Sequence, residues 1–290
     1  MRSTRASRAT RSRATTERTC LSTSLALAVT FVSLHARAEC ERAAPWSRLG
    51  DSAAHFATPL PLSLTAGSAV VLATFSPTGL DHELRLVAQK NLGGSYGQEQ
   101  VTLYAPYVIG GALLVGYGVT AAFGACKPQK SQAAILQAMA VGLAVTGLFK
   151  WSFGREWPNA GRDPEAPDRL SHPEYSWTYR PFQMGFGAWP SGHTLSMFAA
   201  ASAFRASVPE LGWPRFLGYP VAVAVGAGMW LADRHWASDV ISGALMGEAI
   251  GSSAGQSFAD GEEHSGFEHG MLVATPVAGG GTLISWVGVL

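Results

Sequence analysis

Long stretches without Lys, Arg, Asp or Glu constrain the fold of this chain more than any other feature. They cover residues 56–80, 100–126, 131–149, 188–204 and 216–232. Each is close to or longer than the roughly 20 residues with which a helix crosses a bilayer. They are rich in Ala, Gly and Leu, and small residues let helices approach closely. The pattern predicts an all-α fold.

A sixth stretch, residues 235–258, contains Asp239 and Glu248, which suits a helix that faces a protein interior rather than lipid. We therefore predict a bundle of about six core helices that is membrane-embedded or membrane-associated. The alternative is a large soluble bundle with buried helices, because several of the stretches are short for a span. The 47% hydrophobic and 14% charged content excludes a disordered chain.

The first 38 residues are expected to be a secretory signal peptide. Six arginines precede an apolar run over residues 21–34, and Ala36-Arg37-Ala38 supplies a small-x-small cleavage site. The alternative is an uncleaved anchor, although this run is short for a span. Without residues 1–38 the chain has 14 Lys and Arg against 19 Asp and Glu, so the net charge changes from +1 to −5. Neither value gives an electrostatic reason to expect nucleic acid as a partner.

The remaining chain divides into three parts by composition. We predict an N-terminal segment over residues 39–57, the helical bundle over 58–258, and a linker with an apolar tail over 259–290. The tail contains Pro276 and three consecutive glycines, which break a helix and favour a short hairpin-like structure.

Cysteine and histidine spacing gives no sign of a bound metal. Cys40 and Cys126 are the two cysteines after the predicted signal peptide. In an oxidising compartment they could pair, and two unpaired thiols are the equal alternative. The Glu and His residues between 262 and 269 lack the spacing of a metal site, so they are interpreted as a solvated linker. No metal or cofactor is expected.

Three short segments at predicted helix ends carry side chains suited to phosphate chemistry. They are Lys150-Trp-Ser-Phe-Gly-Arg155-Glu-Trp-Pro158, Pro190-Ser-Gly-His193 and His235-Trp-Ala-Ser-Asp239. Because successive helices alternate in direction, we expect all three segments at one end of the bundle. Lys150 and Arg155 supply positive charge for an anion of the phosphate type.

The second and third segments add an anion site and a nucleophile. Ser191 and Gly192 open a predicted helix, where free N–H groups and the helix dipole favour an anion, and His193 can give a proton to a leaving group. His235 and Asp239 are four residues apart, so the carboxylate can fix the tautomer of the ring and activate its other nitrogen. Each segment taken alone has a structural reading, such as helix capping.

In this order and spacing the residues resemble the type 2 phosphatidic acid phosphatase and vanadium haloperoxidase superfamily. Its pattern is Lys-x6-Arg-Pro, then Pro-Ser-Gly-His, then Ser-Arg-x5-His-x3-Asp. The resemblance covers about residues 58–258, and the second motif matches in full. The two motif arginines fall on Trp157 and Met229, and the motif serine falls on Gly228. Arg234 and the loop residues Arg162, Arg169 and Arg180 are candidates to replace the lost charge.

The resemblance implies a role for each matching residue. His235 attacks phosphorus, Asp239 orients His235, and His193 protonates the leaving oxygen before it activates water. The residues expected to bind phosphate are Lys150, Arg155, Ser191, Gly192 and Arg234. No metal takes part.

The expected function is hydrolysis of a phosphomonoester or diphosphate, and a lipid phosphate is favoured over a soluble phosphoester. The alternatives are a catalytically weakened or non-catalytic member of the family and a vanadate-dependent haloperoxidase. The expected location is the exported side of a membrane, with the site facing the periplasm, or the periplasm itself. The oligomeric state, the number of true spans and the topology are left open, because a cleaved signal peptide and the positive-inside rule place Lys150 on opposite sides if every run is a span.

Overall fold

A computed structural model of the chain describes residues 43–94, 100–160, 166, 168–183, 185–259, 271–277 and 281–287. The predicted signal peptide and Cys40 lie outside the described residues. Cys126 takes part in a disulfide. Because the other two cysteines lie outside the described residues, its pairing with Cys40 stays a prediction.

The described part of the chain is mainly helical, as predicted. Its α-helices are α1 Leu49–Phe56, α2 Pro59–Thr78, α3 Leu80–Leu86, α4 Gln100–Phe123, α5 Cys126–Phe153, α6 Gly192–Ser207, α7 Gly218–Leu231 and α8 Ala237–Ala259. A π-helical turn, Val87–Asn91, continues α3, and short 3-10 helices lie at Pro173–Trp177, Pro209–Leu211 and Trp213–Phe216. Strands β1 Met271–Val277 and β2 Gly281–Val287 pair antiparallel, which confirms the predicted hairpin-like tail.

Local sequence explains the main helix boundaries. Pro59 stands in the first turn of α2, where its missing N–H costs nothing, and Gly79 ends the helix at a φ of 78°. Gly154 ends α5 in the same left-handed conformation, at a φ of 56°. The hydroxyl of Ser191 caps α6 by accepting a hydrogen bond from the backbone of Thr194.

Helices α6 and α8 form the centre of the bundle through a stripe of glycines. Four glycines of α8 lie very close to the backbone of α6 and of its cap, Ser191. A Cβ on any of them would lie 2.4–2.7 Å from a backbone carbonyl oxygen there: Gly243, Gly247, Gly251 and Gly255. Only hydrogen fits at these positions. The largest buried apolar cluster then joins α6 and α8 to α2 and α5 through Leu72, Ile135, Leu195 and Ile250.

Among the described residues, three helices are long and apolar enough to cross a membrane: α2, residues 101–123 of α4, and α5. The side chains of α4 are largely exposed, and Tyr107 and Val108 each keep about two thirds of their surface accessible. An apolar helix with this much exposed surface suits contact with lipid. Membrane association of the bundle therefore agrees with the prediction.

Candidate active site

A cavity of about 320 Å3 lies where α5 ends and α6 begins. One part of its wall is polar or charged and contains Lys150, Gly192, His193, Arg234 and His235. The other part is apolar and is formed mainly by Leu103, Pro106, Tyr107, Met139, Leu143 and Met229. Residues from all three motif segments therefore line one cavity at one end of the bundle.

His235 lies just before α8 and is almost fully buried. Its Nδ1 is 3.5 Å from Oδ2 of Asp239, within ion-pair range. Among the described residues, Nδ1 has no hydrogen bond of good geometry. Burial lowers the pKa of His235 to about 4, and the nearby Lys150 cation adds to this effect, whereas Asp239 opposes it. The ring is therefore neutral at pH 7, as a nitrogen nucleophile must be.

Asp239 is fully buried in the first turn of α8, and its carboxylate accepts two hydrogen bonds. Oδ2 accepts from the backbone N–H of Trp236 at 2.9 Å, and Oδ1 accepts from Nη1 of Arg155. Burial by itself would raise the pKa of Asp239, but the Arg155 cation, His235 and the backbone N–H of Trp236 together outweigh burial and lower the pKa below its usual range. Asp239 is therefore held as an anion behind His235.

Arg155 has a different set of partners from the one that the sequence suggested. It is fully buried, and its guanidinium donates to Asp239, Ser238, Asp81 and the carbonyl oxygen of Ser176. These contacts use all five N–H groups, so none is left for a phosphate. The structure thus corrects the expectation of phosphate binding: Arg155 holds the carboxylate that faces His235.

Ser191 is also occupied by the fold. Its hydroxyl accepts hydrogen bonds from Thr194, and its backbone N–H donates to the carbonyl oxygen of Asp239 at 3.0 Å. The capping reading of Ser191 thus describes its contacts better than phosphate binding does. The hydrogen bond from Ser191 N–H to the Asp239 carbonyl oxygen also joins the start of α6 to the start of α8, which keeps His193 and His235 in the wall of the same cavity.

Gly192 does line the cavity. A Cβ at this position would lie 3.1 Å from Thr146 Cγ2 and 3.9 Å from Cε of Lys150. The absence of a side chain leaves room for an anion between the start of α6 and the lysine, where N–H groups of a first helical turn point outward.

His193 stands in the first turn of α6 and contacts α4. Its Nε2 donates a hydrogen bond to the carbonyl oxygen of Leu103 at 3.2 Å, and the ring of Tyr107 meets it edge-on at 6.0 Å. Burial lowers the pKa of His193, and the Leu103 carbonyl partly offsets this effect. An imidazolium with a lowered pKa releases its proton readily, which suits a general acid.

Trp157 occupies the place of the first motif arginine. Its ring lies 5.1 Å from the ring of His235 and 4.7 Å from Nζ of Lys150, while its indole N–H donates to the carbonyl oxygen of Gly185. Nζ of Lys150 also donates to the carbonyl oxygen of Gly187. The indole therefore forms a cation–π contact where the family pattern has a guanidinium.

Met229 and Gly228 occupy the places of the second arginine and the serine. Met229 is buried in the cavity wall. At Gly228 a Cβ would lie 2.2 Å from Cγ2 of Thr102 in α4. Helix α4 therefore packs directly over the position where the family pattern has a serine, and this close approach requires glycine.

Of the arginines proposed to replace the lost charge, Arg234 lines the cavity. Arg169 instead donates to Asp233 at 3.0 Å and to Gln89 at 3.1 Å. Arg180 lies over the ring of Phe186 at 4.7 Å. Arg162 lies outside the described residues. Within the described ranges, no group of three or more His, Cys, Asp or Glu side chains could hold a metal ion.

The sequence interpretation missed Asp81, Arg85 and Ser238, which surround the segment from Asp233 to Asp239. The available signal was the segment Leu80-Asp-His-Glu-Leu-Arg85, in which charged residues suddenly follow an uncharged run. Arg85 follows Asp81 by four positions, so both lie on one face of α3.

Residues 132–259 match the model of the PAP2 superfamily. The predicted resemblance to a PAP2-type phosphatase is thereby confirmed. The matching region contains α6, α7, α8 and most of α5, and it includes all three motif segments.

The chain is also similar to a lipid A 1-phosphatase of Porphyromonas gingivalis. The two sequences are 31% identical over 134 residues, which is 44% of this chain and 25% of the relative. The chain thus matches about a quarter of the length of this curated relative. No solved structure shows a significant match.

Proposed function

We propose that this protein is a phosphatase that hydrolyses a lipid phosphate through a phosphohistidine on His235. The observation that carries the proposal is the shared cavity of His193, His235 and Lys150, with Asp239 3.5 Å behind the nucleophile. The match to the PAP2 superfamily and the name of the P. gingivalis relative both support this reaction class.

The reaction takes two displacement steps. Because Nδ1 of His235 faces Asp239, the other ring nitrogen attacks phosphorus and forms an N–P bond while the P–O bond to the leaving group breaks. His193 gives its proton to the leaving oxygen. Water then attacks the phosphohistidine, His193 takes a proton from that water, and breakage of the N–P bond releases inorganic phosphate and neutral His235.

Positive charge and N–H groups near the nucleophile would hold the phosphoryl oxygens. Lys150, Arg234 and the first turn of α6 at Gly192 supply them in the cavity wall. Phosphoryl transfer depends mainly on positioning and on charge stabilisation, so these groups are the ones that set the rate. Arg155 and Ser191 are not assigned to phosphate binding: Arg155 holds Asp239, and Ser191 caps α6.

The apolar part of the cavity favours a lipid over a soluble ester. Residues of α4 and α5, two of the three candidate spans, form most of this part, and they lie next to the polar part. A substrate with a phosphate head and a hydrocarbon tail would match both halves of the wall. The name of the P. gingivalis relative, a lipid A 1-phosphatase, points the same way.

We further propose that the site faces the outer side of the membrane. Lys127, Lys130, Arg205 and Arg215 lie in the helix ends and loops at the other end of the bundle, and the hydroxyls of Ser207 and Ser131 join these ends at 3.1 Å. Under the positive-inside rule that end is cytoplasmic. Labelling of single cysteines placed at exposed Trp177 and exposed Trp213 in intact cells tests the orientation: reaction at position 213 alone would contradict it.

A non-catalytic binding protein is the second candidate, because Trp157 and Met229 replace the two charged groups of the family pattern. Phosphate release from phosphatidate, a prenyl diphosphate and p-nitrophenyl phosphate by the purified protein separates the candidates. We expect the unmodified protein to release phosphate and His235→Gln to release none. The control variant His172→Gln should release phosphate at the unmodified rate, since His172 lies outside the cavity wall. No release from any substrate would refute the phosphatase, and vanadate-dependent bromide oxidation would favour the haloperoxidase instead.

A phosphohistidine trap tests the covalent step. With His193 replaced by Gln, the water attack should slow more than the first displacement for a substrate with a good leaving group, such as p-nitrophenyl phosphate. Labelled phosphate should then collect on the protein in an acid-labile, base-stable form. Absence of label in His193→Gln, with normal turnover in the unmodified protein, would exclude the covalent intermediate.

A further inference from the structure

Helix α3 carries two charged side chains that are buried out of contact with solvent. Asp81 is fully buried and Arg85 is 2% exposed. Charged residues are almost never this buried unless they are paired, because removing a charge from water is costly. Both residues lie outside the region that matches the family model, and both reach the segment that carries His235 and Asp239.

Asp81 holds the C-terminal side of this segment. Its Oδ1 accepts from the backbone N–H of Ser238 at 2.9 Å, and its Oδ2 accepts from the Ser238 hydroxyl and from Nη2 of Arg155, both at 2.6 Å. The Ser238 N–H lies in the first turn of α8, where no helical carbonyl is available to it. Arg155 joins Asp81 to Asp239, so a single guanidinium lies between the two carboxylates.

Arg85 holds the N-terminal side of the same segment. Its Nε and Nη2 donate to the two carboxylate oxygens of Asp233, each at 2.7 Å, in a bidentate pair. Asp233 has a φ of 58°, a left-handed conformation that residues other than glycine adopt at a cost. Asp233 lies two residues before His235, so its ion pair with Arg85 stabilises the turn that orients the imidazole ring of His235.

Trp236, the residue between His235 and α8, packs between Arg85 on the N-terminal side of this segment and Arg155 on its C-terminal side. It is fully buried, and its indole N–H donates to the carbonyl oxygen of Glu156 at 3.0 Å. The guanidinium carbons of Arg85 and Arg155 each lie 5.6 Å from the centre of its ring. Both arginines therefore contact the neighbour of the nucleophile as well as their carboxylate partners.

We propose that Asp81 and Arg85, together called the α3 clamp, are positioning residues that set the geometry of His235 and Asp239 for phosphoryl transfer. This inference rests on the proposed phosphatase function. A buried ion pair adds little net stability compared with apolar packing, whereas a fixed nucleophile is worth much in a reaction that depends on alignment. The α3 clamp acts through Ser238, Arg155 and Asp233, and neither member lines the cavity.

Kinetics of three variants test the α3 clamp. In Asp81→Asn and Arg85→Lys we expect kcat to fall about ten- to hundredfold with KM nearly unchanged, as for a nucleophile displaced by about 1 Å. Arg85→Lys keeps the charge but loses the bidentate pair. The matched control is Glu248→Gln, which alters a partly buried cluster with Arg205 and Tyr219 away from the cavity. A kcat that falls equally in the control and the clamp variants would overturn the proposal.

A double-mutant cycle separates positioning from general stability. If Asp81 acts on the reaction through Arg155 and Asp239, then Asp81→Asn should lower kcat far less in an Asp239→Asn background than in the unmodified protein. Fully additive effects of the two changes on kcat would show that Asp81 acts independently of Asp239 and would contradict this part of the proposal.

A measurement without turnover keeps the α3 clamp distinct from the proposed function. Nitrogen-15 NMR of labelled histidines follows the ring of His235, which His235→Asn assigns. We expect its titration near pH 4 in the unmodified protein and nearer 6.5 in Arg85→Gln, because the loosened turn admits water. An unchanged titration in folded Arg85→Gln refutes the clamp, whereas absence of turnover in the unmodified protein refutes only the phosphatase.

Discussion

Replacement of Trp157 by arginine restores the group that the family pattern places at this position. In the structure the indole lies within 5.1 Å of the His235 ring and 4.7 Å of Nζ of Lys150. A guanidinium in the same place would reach a phosphoryl group bound to His235. The change removes a cation–π contact and adds a second cation to the wall, so it should strengthen phosphate binding and reduce stability.

The expected size follows from charge and distance. One well-placed donor to a transition-state oxygen is worth about 10²–10³ in kcat. Two unit charges 4.7 Å apart repel by about 3.5 kcal/mol at an effective dielectric constant of 20, and a bound dianion relieves this repulsion. We therefore expect a kcat about ten to a hundred times higher, a lower KM and a Tm lower by several degrees. We expect the rise in kcat to fall short of the full donor value, because an introduced guanidinium is not preorganised by the packing that orients a native donor.

The assay is phosphate release from p-nitrophenyl phosphate and from phosphatidate in mixed micelles. Trp157→Gln removes the indole without adding charge, and Trp151→Arg places the same charge on an exposed tryptophan of α5 that does not line the cavity. Stronger inhibition by inorganic phosphate should accompany the gain in Trp157→Arg. Equal turnover in Trp157→Arg and Trp157→Gln would refute the reasoning and would mean that Arg234 already supplies the missing charge.

Three further predictions concern pH and packing. With increasing pH, kcat/KM should rise near pH 4, where His235 loses its proton, because burial lowers the pKa of His235. It should decrease again where His193 loses its proton, at a pH below 6.5, because burial also lowers the pKa of His193. A plateau extending above pH 8 would contradict the acid role of His193. Gly228→Ser should lower stability by about 1–3 kcal/mol through overlap with Thr102, and thermal unfolding should show recovery when Thr102→Ala is added. Arg155→Met should cost about 3–5 kcal/mol in denaturant unfolding at neutral pH, since it leaves two buried carboxylates without their cation. The loss should shrink at acid pH, where Asp239, whose pKa Arg155 helps to lower, can protonate.

The helices and the ends at which the motifs stand could be predicted because their signals are local. Uncharged runs, Gly79, Gly154 and the Pro-Ser-Gly segment define where helices begin and end, and these effects act over a few residues. The boundaries still shifted: α5 extends beyond the predicted run 131–149 to Cys126 and Phe153, so it includes Lys127, Lys130 and Lys150. Long side chains at helix ends can extend toward the interface, so such charges need not end a helix.

The partners of the charged residues could not be predicted from spacing. Arg155 is expected at the phosphate from its charge and its place in the same segment as Lys150, yet its guanidinium donates to Asp81, 74 positions away in the chain. Which carboxylate a buried arginine meets depends on the helix that packs beside it, and no local pattern encodes that choice. Likewise, Gly228 is only a departure from the motif in the sequence, whereas in the structure a Cβ at this position would lie 2.2 Å from Cγ2 of Thr102 in α4.

The sequence by itself determined that the chain is helical, that two histidines and an aspartate meet at one end of a bundle, and that Trp157 and Met229 replace two cations there. These properties follow from composition and from residue order. The tertiary structure alone decided which groups face the cavity and which support it: Lys150 and Arg234 line the wall, whereas Arg155 and Ser191 hold Asp239 and α6 in place. The reason is that each donor satisfies whichever buried acceptor the packing brings within about 3 Å, and that neighbour is set by the arrangement of helices.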